Sequence, residues 1–153
     1  MQIRPAVAED AAAISHLIRQ LAPFFTVHPD GKDAEPFFAM MTVEITEQRI
    51  KSDNCTYWVA LIGEQMVGVV AIRDNKHLFH LFVDQQFHRQ GIAAQLWNVA
   101  KTAALTAGNH AGFSVNSSPF ALAMYQRFGF EVIGEQAQKD GILFIPMYLA
   151  LPD

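Results

Sequence analysis

The segment Leu78-Phe79-His80-Leu81-Phe82-Val83 is apolar at nearly every position. A strand of that composition needs packing on both faces, which calls for a layered fold with helices above and below a sheet. Neighbouring segments supply the sheet. Residues 57–62 and 66–72 read as strands joined by Gly63-Glu64-Gln65, and Asp74-Asn75-Lys76 turns the chain into 78–83. Connections this short make an antiparallel meander.

The rest of the chain adds layers to that core. Residues 3–7 read as a first strand, and Glu9 and Asp10 open a helix whose Ile14, Leu17, Ile18 and Leu21 follow the 3.6 period until Pro23. His28-Pro29-Asp30-Gly31 marks a loop over 26–33. A second helix is expected over 36–50, with Phe37, Met40, Met41 and Ile45 on one side, serving either as core or as a pocket wall. A further helix over 91–107 carries Ile92, Leu96, Val99, Ala100 and Ala103 on one face and stops at Gly108. Then come a strand (112–115), a short helix (119–128), a strand (130–134), and a last strand (142–149) after the turn Lys139-Asp140-Gly141. The order β-α-α-β-β-β-α-β-α-β-β predicts an α/β (α+β) fold. Its sheet is mixed, mainly antiparallel and six- to seven-stranded, with helices on both faces, in a single domain over 1–153.

Charge narrows the function. With 11 basic and 15 acidic residues and a net charge of −4, the chain lacks the basic face that nucleic acid requires. Cys55 is the only cysteine, so no internal disulfide forms, and no motif around it marks a nucleophile. The first ten residues carry no signal-peptide pattern, and no apolar run approaches the ~18 residues of a membrane span. A cytoplasmic location is the default expectation. His77 and His80, three apart on a strand, are expected on opposite faces, and with no third ligand evident no metal site is expected. A homodimer is open, but no residue pattern encodes it.

Phe87-His88-Arg89-Gln90-Gly91-Ile92-Ala93 links the buried strand to a helix. The first turn of a helix has unpartnered N–H groups and partial positive charge, so a phosphate placed there gains several hydrogen bonds. Gly91 and Ala93 lack bulk, and His88 and Arg89 add donors. A plain tight-turn glycine explains the same residues. Neither a P-loop nor a dinucleotide-binding glycine pattern is present.

A second stretch stands downstream: Asn116, Ser118, Pro119, Ala121, Tyr125 and Phe128-Gly129-Phe130. Taken singly, these read as an N-cap with proline behind it, packing residues and a helix stop. Together with Leu81-Phe82-Val83-Asp84 and the 87–93 loop, they resemble the GNAT N-acetyltransferase superfamily, whose pyrophosphate motif is [QR]-x-x-G-x-[GA]. His88 stands at the Gln/Arg position, which leaves more of the binding to main-chain amides.

The resemblance implies an acetyl-CoA-dependent N-acetyltransferase acting on a small-molecule or peptide amine by direct attack in a ternary complex. It implies acetyl-CoA held by the main chain at Phe82 and Val83, by His88, Arg89, Gln90, Gly91, Ile92 and Ala93, and by Asn116, Ser118 and Tyr125. Tyr125 takes the general-acid role toward the departing thiolate. His80, with an ordinary pKa near 6.5, is a candidate general base or a buried histidine with a partner; Glu44 and His77 are weaker candidates. A catalytically idle acyl-CoA-binding or regulatory module on the same fold is the alternative. The acceptor pocket is expected from the 24–38 region and the loop after Gly134.

Overall fold

The structure, a computed structural model, describes residues 1–152. Its strands are β1 (Gln2–Pro5), β2 (Cys55–Ile62), β3 (Gln65–Arg73), β4 (His77–Val83), β5 (Gly112–Ser117), β6 (Glu131–Val132), β7 (Ala137–Lys139) and β8 (Ile142–Ala150). They lie in the order β1-β2-β3-β4-β5-β8-β6, with β7 paired to β8. Every pairing is antiparallel except β4–β5. The mixed, mainly antiparallel sheet is as expected. Its eighth strand is the three-residue β7, which forms a hairpin with β8 around Asp140-Gly141.

Helices cover both faces. On one side lie α1 (Ala11–Gln20), α2 (Glu35–Ala39) and α3 (Val43–Lys51); Ile14, Leu17 and Ile18 of α1, with Met41 between α2 and α3, are buried against Val59, Val69 and Ala71. On the other, α4 (Ile92–Thr106) and α5 (Leu122–Arg127) bury Leu96, Trp97 and Tyr125 against Val67, Val70, Leu78, Val115 and Met147. α4 sits low on β3 because Gly68 has no side chain: a Cβ there would stand 2.8 Å from Leu96 Cδ1.

The helix expected over 36–50 is broken into α2 and α3. The Met41 carbonyl, at the break, accepts from Ser15 Oγ at 2.5 Å and Arg19 Nη2 at 3.4 Å, both on α1. Thr42 Oγ1 then caps α3 by accepting from Ile45 N–H at 3.2 Å. Tertiary partners and a new cap thus override a continuous helical period. At the chain start, Arg4 grips the Asp10 carboxylate at 2.7 and 3.0 Å, and Asp10 also accepts from Val7 N–H at 2.8 Å.

β4 carries a bulge. Ala71 faces His80 and Ile72 faces Leu78, so Phe79 is an extra residue and seven residues of β4 oppose six of β3. Leu78, Leu81 and Val83 join the α4-side core, whereas Phe79 and Phe82 join the α1-side core. The His80 ring lies with Phe79, Phe82 and Tyr57, at centroid distances of 4.1, 5.6 and 5.9 Å. His77 pairs with Ser114, which alternates with the α4-side residues Phe113 and Val115. His77 and His80 therefore share the α1 face. The expectation of opposite faces fails because the bulge reverses strand alternation. Among the described residues no group of three His, Cys, Asp or Glu is placed to hold a metal.

Candidate active site

β4 and β5 pair only at His77–Ser114 and Leu78–Val115, then part. Beyond that point β4 keeps its hydrogen bonds to β3 on one edge and loses its neighbour on the other. Asp84 N–H donates to Val67 O at 2.8 Å, so by alternation Phe82 also turns its main chain toward β3. Leu81 and Val83 turn theirs into the gap. Of the two residues expected to present main-chain groups, Val83 does so and Phe82 does not. Leu81 faces the gap instead, an edge direction set by strand phase.

The loop after β4 is built by short polar turns. Asp84 accepts from Gln86 N–H at 2.9 Å, and the chain then runs through Arg89 (φ 65°) and Gly91 (φ 78°) into α4. Gly91 is the N-cap residue of α4, with no side-chain cap. The first-turn amides therefore lack internal acceptors and open outward. A Cβ on Gly91 would meet no protein atom within 4 Å, so the space above it is free. Arg89, Gln90 and Gly91 are exposed, whereas Ile92 is buried and anchors the helix in the core. His88 is placed differently from the sequence expectation: its Nε2 lies 2.7 Å from Val83 O, bracing the loop against the free edge of β4.

Tyr125 closes the opposite wall. α5 projects it inward, where its ring stands edge-on to Phe128 and Phe130 at 6.2 and 5.6 Å. Burial pushes its pKa above the ordinary phenol value. Its hydroxyl makes no hydrogen bond to another described residue. On β5, Asn116 is exposed, and Ser118 Oγ accepts from Ala121 N–H at 3.1 Å, the capping role its position before Pro119 suggested. Three rings from distant segments meet across the mouth. Phe24 lies 4.6 Å from Phe120 and 6.1 Å from His88, and His88 lies 6.1 Å from Phe120.

His80 is 4 % exposed, and burial, with the charges of Arg49, Arg73 and His77 adding to it, holds its pKa down to about 3. It is neutral at ordinary pH, which corrects the expected value near 6.5. Burial also lowers the pKa of His77, whose Nδ1 is 2.7 Å from Ser114 Oγ. Glu44 is exposed in the first turn of α3. On the acceptor side the 26–34 loop meets the β7–β8 hairpin, through Val27 N–H to Gly141 O at 2.8 Å and Leu143 N–H to Phe25 O at 2.9 Å. Those are the two regions expected to build a pocket together.

The family model described as an acetyltransferase (GNAT) domain matches residues 25–151, spanning the parted strands, the loop and Tyr125. The chain belongs to the GNAT acetyltransferase family. Among curated relatives it is 31% identical over 104 residues to N-acetyltransferase 8 of Homo sapiens, covering 60% of this chain and 45% of that one. It is 32% identical over 103 residues to N-acetyltransferase family 8 member 3 of Mus musculus, covering 60% and 46%. The match thus spans less than half the length of either relative.

Solved GNAT structures share the fold. A GCN5-related N-acetyltransferase from Rhodopseudomonas palustris superposes with a TM-score of 0.81 at 18% identity, covering 98% of this chain and 95% of that one. PaiA N-acetyltransferase from Thermoplasma acidophilum, solved with coenzyme A, gives 0.77 at 16% identity, covering 97% and 98%. Among the described residues no helix is long and apolar enough to cross a membrane.

Proposed function

We propose that this GNAT domain transfers acetyl from acetyl-CoA to a primary amine of a small molecule or peptide, with both substrates bound at once. The observation that carries the reading is the parting of β4 and β5 directly below the uncapped start of α4. A long, narrow ligand with an anionic middle fits that combination: main-chain edge below, helix amides above. Two further facts support it, the family match and the solution of a structural neighbour with coenzyme A.

In this reading the amides of Gln90, Gly91, Ile92 and Ala93 hold the pyrophosphate, and exposed Arg89 adds charge from the rim. Leu81 through its main chain, and Val83 through its N–H while His88 holds its carbonyl, bind the pantetheine arm, facing Asn116 and Ser118. Acetyl-CoA supplies an activated acyl group and a thiolate leaving group of pKa about 8.5. Tyr125, protonated at any working pH, donates a hydrogen bond to the departing sulfur. The same dry surroundings that raise its pKa disfavour a free thiolate, so donor and acceptor stay matched. Neutral His80, buried among Tyr57, Phe79 and Phe82, is too weak a base to strip an ammonium. The acceptor therefore reacts as the fraction already present as free amine. The lone Cys55 has no disulfide partner, which suits a reducing, cytoplasmic setting.

Calorimetry with coenzyme A, paired with thiol release over a panel of amines, tests the proposal. Saturable binding with turnover on at least one amine supports it. Absence of coenzyme A binding overturns it, and binding without thiol release across the panel favours an idle acyl-CoA-binding module.

A further inference from the structure

A cavity of about 320 Å³ lies under α3 at the start of β4, on the α1 face of the sheet. Its walls include Arg49, Arg73, Phe79, Cys55, Asn54 and Gln48, and none of its lining residues is an Asp or Glu. The two guanidinium carbons stand 4.8 and 5.0 Å from the centroid of the Phe79 ring. Neither cation is well neutralised. Among the described residues Arg49 donates to Met41 Sδ, at 3.7 Å, and pairs with no carboxylate, and Arg73 has Asp74 at 3.9 Å with both side chains substantially exposed. In a chain of net charge −4, two such cations in one cavity are a local inversion of sign.

Two residues along β2 from the lining Cys55, Tyr57 is 4 % exposed, and its hydroxyl has no hydrogen-bond partner among the described residues. Burial pushes its pKa up to about 12, and Arg49 pulls the other way, so the hydroxyl lies within reach of that guanidinium's field. Planar guanidinium forks match carboxylate oxygens, and the Phe79 ring with Met40 and Ile45 offers an apolar surface beside them. The volume suits part of a small organic molecule rather than a bare ion.

Position ties this cavity to the reaction. Phe79 and His80 are adjacent on the bulge, their rings 4.1 Å apart, and Leu81, the next residue, opens its main chain into the gap. We propose that Arg49 and Arg73 bind the carboxylate of the acceptor, which makes the preferred substrates amino-carboxylates bearing an apolar group, such as apolar amino acids. The inference rests on the acetyltransferase reading and assigns its substrate class. Arg49 and Arg73 are then specificity residues, 24 positions apart with no motif joining them.

Cys55, the only cysteine, lines the cavity and is partly exposed, so it reports occupancy without any turnover. In the first arm, wild-type protein is alkylated with iodoacetamide in the presence of N-acetylphenylalanine or its amide. The carboxylate is expected to slow alkylation and the amide is not, and Arg49→Gln or Arg73→Gln removes the protection. In the second arm, phenylalanine and phenylalaninamide are compared as acceptors at equal free-amine concentration. The wild type should favour the carboxylate by about tenfold or more in kcat/KM, the worth of one charge-assisted contact. Arg49→Gln should bring the two acceptors level while coenzyme A still raises Tm, which also checks that the variant folds. Equal protection by acid and amide, or protection by neither, overturns the carboxylate pocket. Protection by the acid with no acceptor preference overturns its assignment to the acceptor. Failure of the acetyltransferase reading would look different: coenzyme A would give no thermal shift while Cys55 protection persisted.

Discussion

His88 Nε2 sits 2.7 Å from the main-chain oxygen of Val83, so the side chain in the family's Gln/Arg position is tied to the sheet. It steadies the loop whose amides are proposed to hold the pyrophosphate. His88→Ala should weaken coenzyme A binding about five- to tenfold by calorimetry, the range of one lost hydrogen bond. His88→Arg should bring no gain, because it breaks the same brace. Tighter binding by the arginine variant would show that position 88 acts directly on the ligand.

Gly91 separates fold from binding. At φ 78° an alanine costs about 1 kcal/mol, and its Cβ meets no protein atom within 4 Å. Gly91→Ala should therefore lower Tm by only a few degrees while weakening coenzyme A binding well beyond that cost, as the methyl enters the space kept for the ligand. Thermal melts with and without coenzyme A measure both effects.

Tyr125→Phe keeps the buried ring and removes only the proposed donor. Turnover should fall about a hundredfold or more, the usual worth of a positioned acid. Coenzyme A affinity and Tm should barely move. Because burial raises the Tyr125 pKa, the wild type should also show no loss of rate from its ionisation up to pH 10, near the ordinary phenol value.

The pH dependence of stability follows from His80. Its folded pKa is about 3, below the 6.5 of an unfolded histidine, so between those values the unfolded state binds more protons. Stability contributed by neutral His80 is complete above pH 6.5 and drains away as pH falls toward 3. His77 adds a loss of the same sign, and Asp10, held low by Arg4, adds another below the ordinary carboxyl range. Denaturant titrations between pH 7 and 4 should show a steep fall in the wild type and a shallower one in His80→Gln. In the pH–rate profile, activity should rise with the acceptor's free-amine fraction and show no inflection near 6.5.

Much of this architecture was legible because it is written in local signals. The meander was visible in its short turns, the loop in a glycine at a helix start, and Tyr125 in its spacing from Gly129. The misses came from pairings the sequence does not announce. Met41 breaks a helical period because Ser15 and Arg19, more than 20 residues earlier, take its carbonyl. The charge of His80 is not legible in the sequence, because its pKa depends on the burial and cations that surround it in space. The main chain of Phe82 faces β3 while that of Leu81 faces the gap, because edge direction depends on the phase of a strand against its partner.

That phase is set by one residue. The seven residues of β4 lie against six of β3, so the strand behaves like a crystal row with a dislocation at Phe79. Upstream of it lie the cationic cavity and the hydrogen bond of His77; downstream lie the open edge and the loop. A chimera that imports β4 from a relative must therefore preserve the residue count from His77 to Val83 before it preserves any side chain. Deleting Phe79 would restore one-to-one register and leave His80 opposite Ala71, but it would strip the cavity of its aromatic wall.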